Sequence, residues 1–540
     1  MGVQSTGAPR GARGANRYAA RAMVLDPRTP VVVGVGQVMT EAGSPLAPAE
    51  RPEPVALMAM ALRAAVEDCD GAGPGGATPS GSALLRRTDS LRVVVPLGWH
   101  SANPALQVAW RLGFAEGDEP AELMLSAIGG NTPQALMHDA CTAISAGRRD
   151  VVLVTGAEAM YARALSRRHP GAALAWAELP DGAPAPVKFG VDRLGASELE
   201  MSRGVLLPVH AYPLFENAWR AANDWSVSEH TARIGALWSR FSEVAAANPG
   251  AWIRSARSPE EIVTPSADNR MIAYPYTKLC TANMQVDQGA GYIVCSAEAA
   301  RSAGVPEDRW VFPLAGADAN DHWFISERED LHRSPAIRLA GGTALELAGL
   351  GIDDVAYVDL YSCFPAVVQI AARELGLRVD DPARPLTLTG GLTFGGGPGN
   401  NYTSHGIARA VGALREGPGT AALVTGLGWY ATKHSVGVYA SKPPAHEGPF
   451  AWRNVQAEVD ALPARAVDPD ATGAVRVETY TVIYDRDGNA ERGIVVCRTP
   501  GDARAWGDTT DADVLGALSA EDPIGRTLVL QADGTVRLPA

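Results

Sequence analysis

The chain repeats a short apolar signature once. Leu153-Val154-Thr155-Gly156 returns as Leu423-Val424-Thr425-Gly426, 270 residues later. Around each copy the order is the same: a Gly-rich loop, an amphipathic helix, a short charged turn and an apolar strand. The first copy runs from Gly129 through a helix expected over Pro133–Gly147 to a strand over Val151–Thr155. The second runs from Gly395 through a helix expected to start near His405 to a strand over Ala421–Thr425. The spacing is far too long for a solenoid. It predicts two related α/β halves in one body, each with a loop leading into a helix. Such loops carry chemistry in α/β proteins, because helix N-termini present unpaired N–H groups to a ligand.

The 540 residues leave room for two or three domains and a large core. A net charge of −13 argues against nucleic acid as a partner, since phosphate binding needs a basic surface. No apolar run reaches the roughly 18 residues of a membrane span, so none is expected. Cys69, Cys141, Cys280, Cys295, Cys363 and Cys497 are scattered, without a Cys-x-x-Cys pair or zinc-type spacing. Reduced thiols in a cytoplasmic protein without a metal are expected. Residues 1–28, rich in Ala, Gly and Arg, read as a disordered tail.

The first half is expected over 29–270. It opens on the buried strand Val31–Val38 and a helix over Pro54–Val66. Gly71–Gly81 reads as a linker, Leu91–Pro96 as a strand, and Asn103–Leu112 as a helix. Thr132 is an expected N-cap with Pro133 at the first helical position. Residues 160–270 look like an insertion, helical in places such as Ser228–Ala247. The second half is expected over 271–445, with strands at Gly289–Cys295 and Val355–Leu360 and helices at Ala297–Ala303 and Ala366–Leu375. From 446 to 540 the pattern changes. Val475–Tyr484 and Glu491–Arg498 alternate across the turn Asp485–Gly488, and Gly525–Leu530 and Thr535–Leu538 flank a second turn, as in a small all-β domain of barrel type.

The duplicated layout and the order of its loops resemble the thiolase superfamily, nearest to sterol-carrier-protein thiolases and thiolase-like proteins (type 1) with an extra C-terminal domain. The resemblance spans roughly residues 30–440. It implies an α/β fold of two halves layered α-β-α-β-α, followed by the OB- or barrel-like β domain. It also implies a coenzyme A thioester as substrate, no bound cofactor, and a homodimer or monomer.

Thiolases use four loops, and this chain departs from each. Ala135-Leu136 aligns the first loop with Gly129 at the nucleophile position, and glycine forms no acyl-enzyme. Tyr361-Ser362-Cys363-Phe364 stands where His-Asp-Cys-Phe is expected, so Tyr361 replaces the histidine. Gly396-Gly397-Pro398 places Gly397 at the histidine of Gly-His-Pro. Val424-Thr425-Gly426 places Val424 at the acid/base cysteine of Cys-x-Gly. The remaining polar groups are candidates. Tyr361 is a hydrogen-bond donor, or a base if its pKa is lowered. Cys363 is a displaced nucleophile, and His405, after Asn400, reaches toward the space left by Gly397. His434 follows the fourth loop, and Gly129, Gly130, Asn131 and Thr132 hold an oxyanion. Tyr274–Cys280, with Lys278, faces either the pocket or the surface.

Three functions compete: retro-aldol cleavage of a β-hydroxyacyl-CoA without a covalent step, acetyl-CoA acetyltransfer, and acyl-CoA or lipid binding without catalysis.

Overall fold

The computed structural model describes residues 25–70, 79–169, 173–180, 182–417, 419–445, 448–520 and 522–539. Most of the expected tail, residues 1–24, and most of the expected linker, residues 71–78, lie outside the described residues. Arg28 already donates to the Ile144 carbonyl at 2.9 Å. The strands in chain order are β1 (Pro30–Met39), β2 (Ser90–Val93), β3 (Glu122–Ser126), β4 (Val151–Ala159), β5 (Val187–Phe189), β6 (Met271–Ala273), β7 (Tyr276–Thr277) and β8 (Asp287–Ser296). They continue with β9 (Phe312–Asn320), β10 (Val355–Asp359), β11 (Ala421–Gly428), β12 (Lys433–Ala440) and β13 (Ala451–Asn454). Last come β14 (Gly473–Tyr484), β15 (Ala490–Arg498), β16 (Arg504–Thr509), β17 (Thr527–Leu530) and β18 (Val536–Arg537).

The first sheet has the order β1-β8-β4-β2-β3-β5, the second β10-β11-β12-β9-β13. The run β1, β8, β4, β2 has its counterpart in β9, β12, β11, β10. Both quartets pair antiparallel, antiparallel, then parallel. The duplication expected from the repeat is therefore present. β8, C-terminal to the expected boundary at 270/271, sits inside the first sheet, and β6 and β7 join the C-terminal sheet through β14. β13, beyond the expected boundary at 446, pairs with β9 in the second sheet. Every residue of β4 and β8 is buried, and the near-continuous apolar sequence of β4 follows from cover on both faces.

Two helices fill the space between the sheets. Leu136, Met137, Cys141 and Ile144 of helix Thr132–Ser145 share one apolar cluster with Ile407, Val411 and Leu414 of helix Tyr402–Glu416. Val152 and Val154 join it from the first sheet, Ala422 and Val424 from the second. Helix Pro54–Asp68 covers β1, β8 and β4, and helix Pro335–Ala348 covers β9 and β12. The layers run α-β-α-β-α.

This arrangement gives the repeated glycine a physical reason. A Cβ on Gly156 would lie 2.5 Å from Asn401, the residue capping helix Tyr402–Glu416. A Cβ on Gly426 would lie 2.8 Å from the Cα of Asn131, which caps helix Thr132–Ser145. Each signature glycine makes room for the loop of the opposite half.

The insertion is largely helical, with helices at Met160–Arg168, Pro208–Ala222 and Val227–Ala247. Ser226 caps the last by accepting from Glu229 N at 3.2 Å. The C-terminal strands form an antiparallel sheet in the order β16-β15-β14-β17-β18. A bridge from Asp508 to Thr535 draws its ends together, and helix Ala512–Ala520 packs on β14 and β15. The domain is tied to the insertion: Asn217 donates to the Tyr480 carbonyl at 2.9 Å, and Thr479 to the Leu214 carbonyl at 2.6 Å. Among the described residues no helix is long and apolar enough to cross a membrane.

Candidate functional site

The first loop lies where both halves meet, and its centre is filled by tyrosine. A Cβ on Gly130 would stand 2.3 Å from the Tyr361 hydroxyl and 2.5 Å from the Leu427 carbonyl. The Tyr361 ring meets Tyr402 edge-on at 5.3 Å, and its backbone N–H donates to Thr425 Oγ1 at 2.8 Å. Burial, with Cys363 and Tyr402 nearby, pushes the Tyr361 hydroxyl well above its ordinary pKa. It therefore stays protonated, and of the two expected roles the arrangement suits the donor and not the base.

Tyr361 and His434 line one enclosed cavity of ≈ 10 Å³, about one water molecule's worth of space. His434 Nε2 lies 3.1 Å from the Ala431 carbonyl and 3.3 Å from Asp321 Oδ2. Burial works to raise the Asp321 carboxyl, but the bond and charge of His434, with Arg328 and Ser334, hold it below its usual range.

The other expected site residues are placed as follows. Burial pushes the Cys363 thiol up to about 12, so it is not a thiolate, and the expectation of a displaced nucleophile is corrected. His405 is engaged by β1: its Nδ1 lies 2.9 Å from Gln37 Oε1, and burial lowers its pKa to about 4. Val424 belongs to the apolar layer between the sheets, and Gly426 rather than Val424 meets the first loop. The residues that abut the first loop are Gly426 and Gly428, the latter with its Cβ position 3.0 Å from Gly129 Cα.

Thr132 begins the helix rather than capping it, and its hydroxyl donates to the Gly129 carbonyl at 2.7 Å. Asn131 takes the cap position and donates to Ser435 Oγ at 3.3 Å. The Gly129 N–H is already engaged by Asn400 Oδ1 at 2.9 Å, while Asn400 donates to the Val95 carbonyl at 2.8 Å. In the third loop, Gly396 packs on Gln288, Gly397 N donates to the Asn283 carbonyl at 2.9 Å, and the Pro398 carbonyl accepts from Asn401 N.

That loop borders a cleft of ≈ 1030 Å³, which Asn283 and Thr393 line together with Trp252, Arg168, Arg257 and Lys278. The stretch around Lys278 thus faces a cleft.

Two groups escaped the sequence reading. Glu158, at the end of β4, is buried and accepts from the N–H groups of Leu97 and Gly98. Burial raises its pKa to about 7, against those bonds and Arg163. Lys433 opens β12, 5% exposed, and donates to the carbonyls of Ile128 at 2.7 Å and Val191 at 3.1 Å. The available signal was composition: the chain has four lysines, and only this one opens an apolar strand.

Two thiolase-like halves with a β domain appended, and no sulfur at the first or fourth loop, define a protein of the thiolase superfamily. Residues 317–407 match a family model described as thiolase C-terminal domain-like, and 454–535 one described as the thiolase-like protein type 1 additional C-terminal domain. The crystal structure of a monomeric SCP2-thiolase-like protein type 1 from Mycobacterium smegmatis is 36% identical, with a TM-score of 0.79, over 95% of this chain and 100% of that one. This chain belongs to the SCP2-thiolase-like protein type 1 family. The fold is shared with an Ltp2–ChsH2(DUF35) aldolase, at 20% identity over 77% of this chain and 99% of that one with a TM-score of 0.55. It is shared too with human mitochondrial 3-ketoacyl-CoA thiolase, at 16% identity over the same 77% and 99% with a TM-score of 0.52. No curated protein matches the chain.

Proposed function

We propose that this protein handles a coenzyme A thioester within its thiolase body and forms no acyl-enzyme. The observation that carries this reading is the Tyr361 hydroxyl standing where a side chain at 130 would begin, with glycine also at 129. Acetyl transfer by the usual two-thiol route has no nucleophile here, and Cys363 keeps its proton. The cleft of ≈ 1030 Å³ suits the coenzyme, with Arg168, Arg257 and Lys278 for its phosphates and Trp252 for its apolar parts.

The reaction class these groups support is retro-aldol cleavage of a β-hydroxyacyl-CoA. His434, held by Asp321, takes the β-hydroxyl proton. The Cα–Cβ bond breaks, an aldehyde or ketone leaves, and the electron pair enters the thioester as an enolate. The Tyr361 hydroxyl donates to the enolate oxygen. The small enclosed cavity supports a second reading, binding without turnover, since substrate reaches Tyr361 only if that space widens.

One set of incubations separates them. With acetyl-CoA, intact mass is expected to show no acyl adduct, and an adduct on any cysteine overturns the non-covalent reading. With a β-hydroxyacyl-CoA, cleavage reduced on the order of 100-fold in Tyr361→Phe supports the lyase reading. Saturable coenzyme A binding without cleavage selects the binding reading.

A further inference from the structure

Lys433 projects into the space that a side chain at 129 would enter. A Cβ built on Gly129 would lie 3.4 Å from Lys433 Cδ and 3.5 Å from Nζ. The amine thus stands beside the position that the sequence alignment gives to the thiolase nucleophile. It lines a cavity of ≈ 320 Å³ next to the first loop, with Asn131, Phe189, Trp323, Trp452 and His434. That volume suits a small organic molecule, and Tyr361 is not among the lining residues.

The surroundings of Nζ are unusual for a lysine. Among the described residues it forms no ion pair, and its partners are two carbonyl oxygens of the Ile128 and Val191 backbone. The Trp323 ring lies 5.8 Å away. An ammonium has three N–H groups, so two carbonyls leave one direction open. Burial lowers the Lys433 pKa, against the charge of Asp192 nearby, which favours the ammonium. The other three lysines, Lys188, Lys278 and Lys442, are exposed.

We propose that Lys433 is an amine nucleophile that captures a small aldehyde or ketone as an imine in this cavity. The neutral amine adds to the carbonyl carbon through its lone pair, and the carbonyl oxygen becomes a hydroxyl. One N–H proton passes to that oxygen, the other leaves with the hydroxyl as water, and a C=N bond replaces C=O. No oxidant or reductant is consumed. A thioester is a poor partner for this step, so the activity goes beyond thioester handling and stands or falls separately from it.

The test uses the full chain, propanal or butanone as probe, and cyanoborohydride to reduce any imine to a stable secondary amine. Peptide mapping at neutral pH is expected to find Lys433 alkylated about 10-fold faster than Lys188, Lys278 or Lys442, because burial leaves more of this amine neutral. The excess disappears in urea, where all four lysines are equivalent. Lys433→Arg removes the fast site and leaves the slow ones. Should that variant fold poorly, the native-against-urea comparison on the wild-type chain decides alone. Alkylation of Lys433 at or below the rate of the exposed lysines, or an excess that survives urea, overturns the proposal.

Discussion

Gly130→Ala is expected to destabilise the protein by about 3 kcal/mol, read as a fall in urea midpoint at unchanged slope. The added methyl meets the Tyr361 hydroxyl at 2.3 Å and the Leu427 carbonyl at 2.5 Å. Neither yields easily: Leu427 belongs to β11, and the Tyr361 ring is braced edge-on by Tyr402. Adding Tyr361→Phe recovers little, because the ring carbon Cζ remains 2.7 Å away and the carbonyl is untouched. Gly130→Cys carries the same cost, so installing a thiol there is expected to give an unstable protein without acyl transfer. A Gly130→Ala variant as stable as wild type shows that the tyrosine is not packed against this loop, and the non-covalent reading loses its support.

The second large effect is a pair of opposed pH dependences. Burial raises Glu158 from 4.5 to about 7, so between those values the folded chain keeps a proton that the unfolded chain releases. Stability from this group is full below pH 4.5 and is lost as pH rises through about 7. Burial lowers His405 from 6.5 to about 4, so over that range the unfolded chain binds a proton that the fold refuses. Stability from this group is full above pH 6.5 and is lost as pH falls through about 4. Each shift corresponds to about 3 kcal/mol at its limit.

In wild type the two slopes largely cancel between pH 4.5 and 6.5. Glu158→Gln should therefore leave stability that falls as pH drops, and His405→Gln stability that falls as pH rises. Asp359, raised to about 6, titrates in all three proteins, so the readout is each variant's difference from wild type. Difference profiles of the same sign would contradict the assignment of these two shifts.

The sequence was informative where one physical rule dominated. β4 and β11 are covered on both faces, so their apolar runs announced them, and the alternation of β14 and β15 announced the β domain. β9 and β12 passed unread. β9 holds Pro313, Gly316 and Asp318, and β12 opens on Lys433-His434. Small and polar residues are tolerated there because tertiary packing, not strand propensity, places these segments.

At the site, Tyr361 was found by its position in a loop pattern, and glycine at the nucleophile position was visible directly. The register of the fourth loop was not. It is set by which glycine of β11 admits the backbone of Asn131, a contact between residues nearly 300 apart in sequence. The partner of His405 was hidden for the same reason, since only the packed sheet brings Gln37 beside it.

One further consequence lies at the rim of the first sheet. β5, three residues long, pairs in parallel with β3 and takes up that strand's outward hydrogen-bonding row within the chain. The new border is short, exposed and bears Lys188. Such a border offers a poor template for another strand, so lateral growth of the sheet from copy to copy is discouraged on this side.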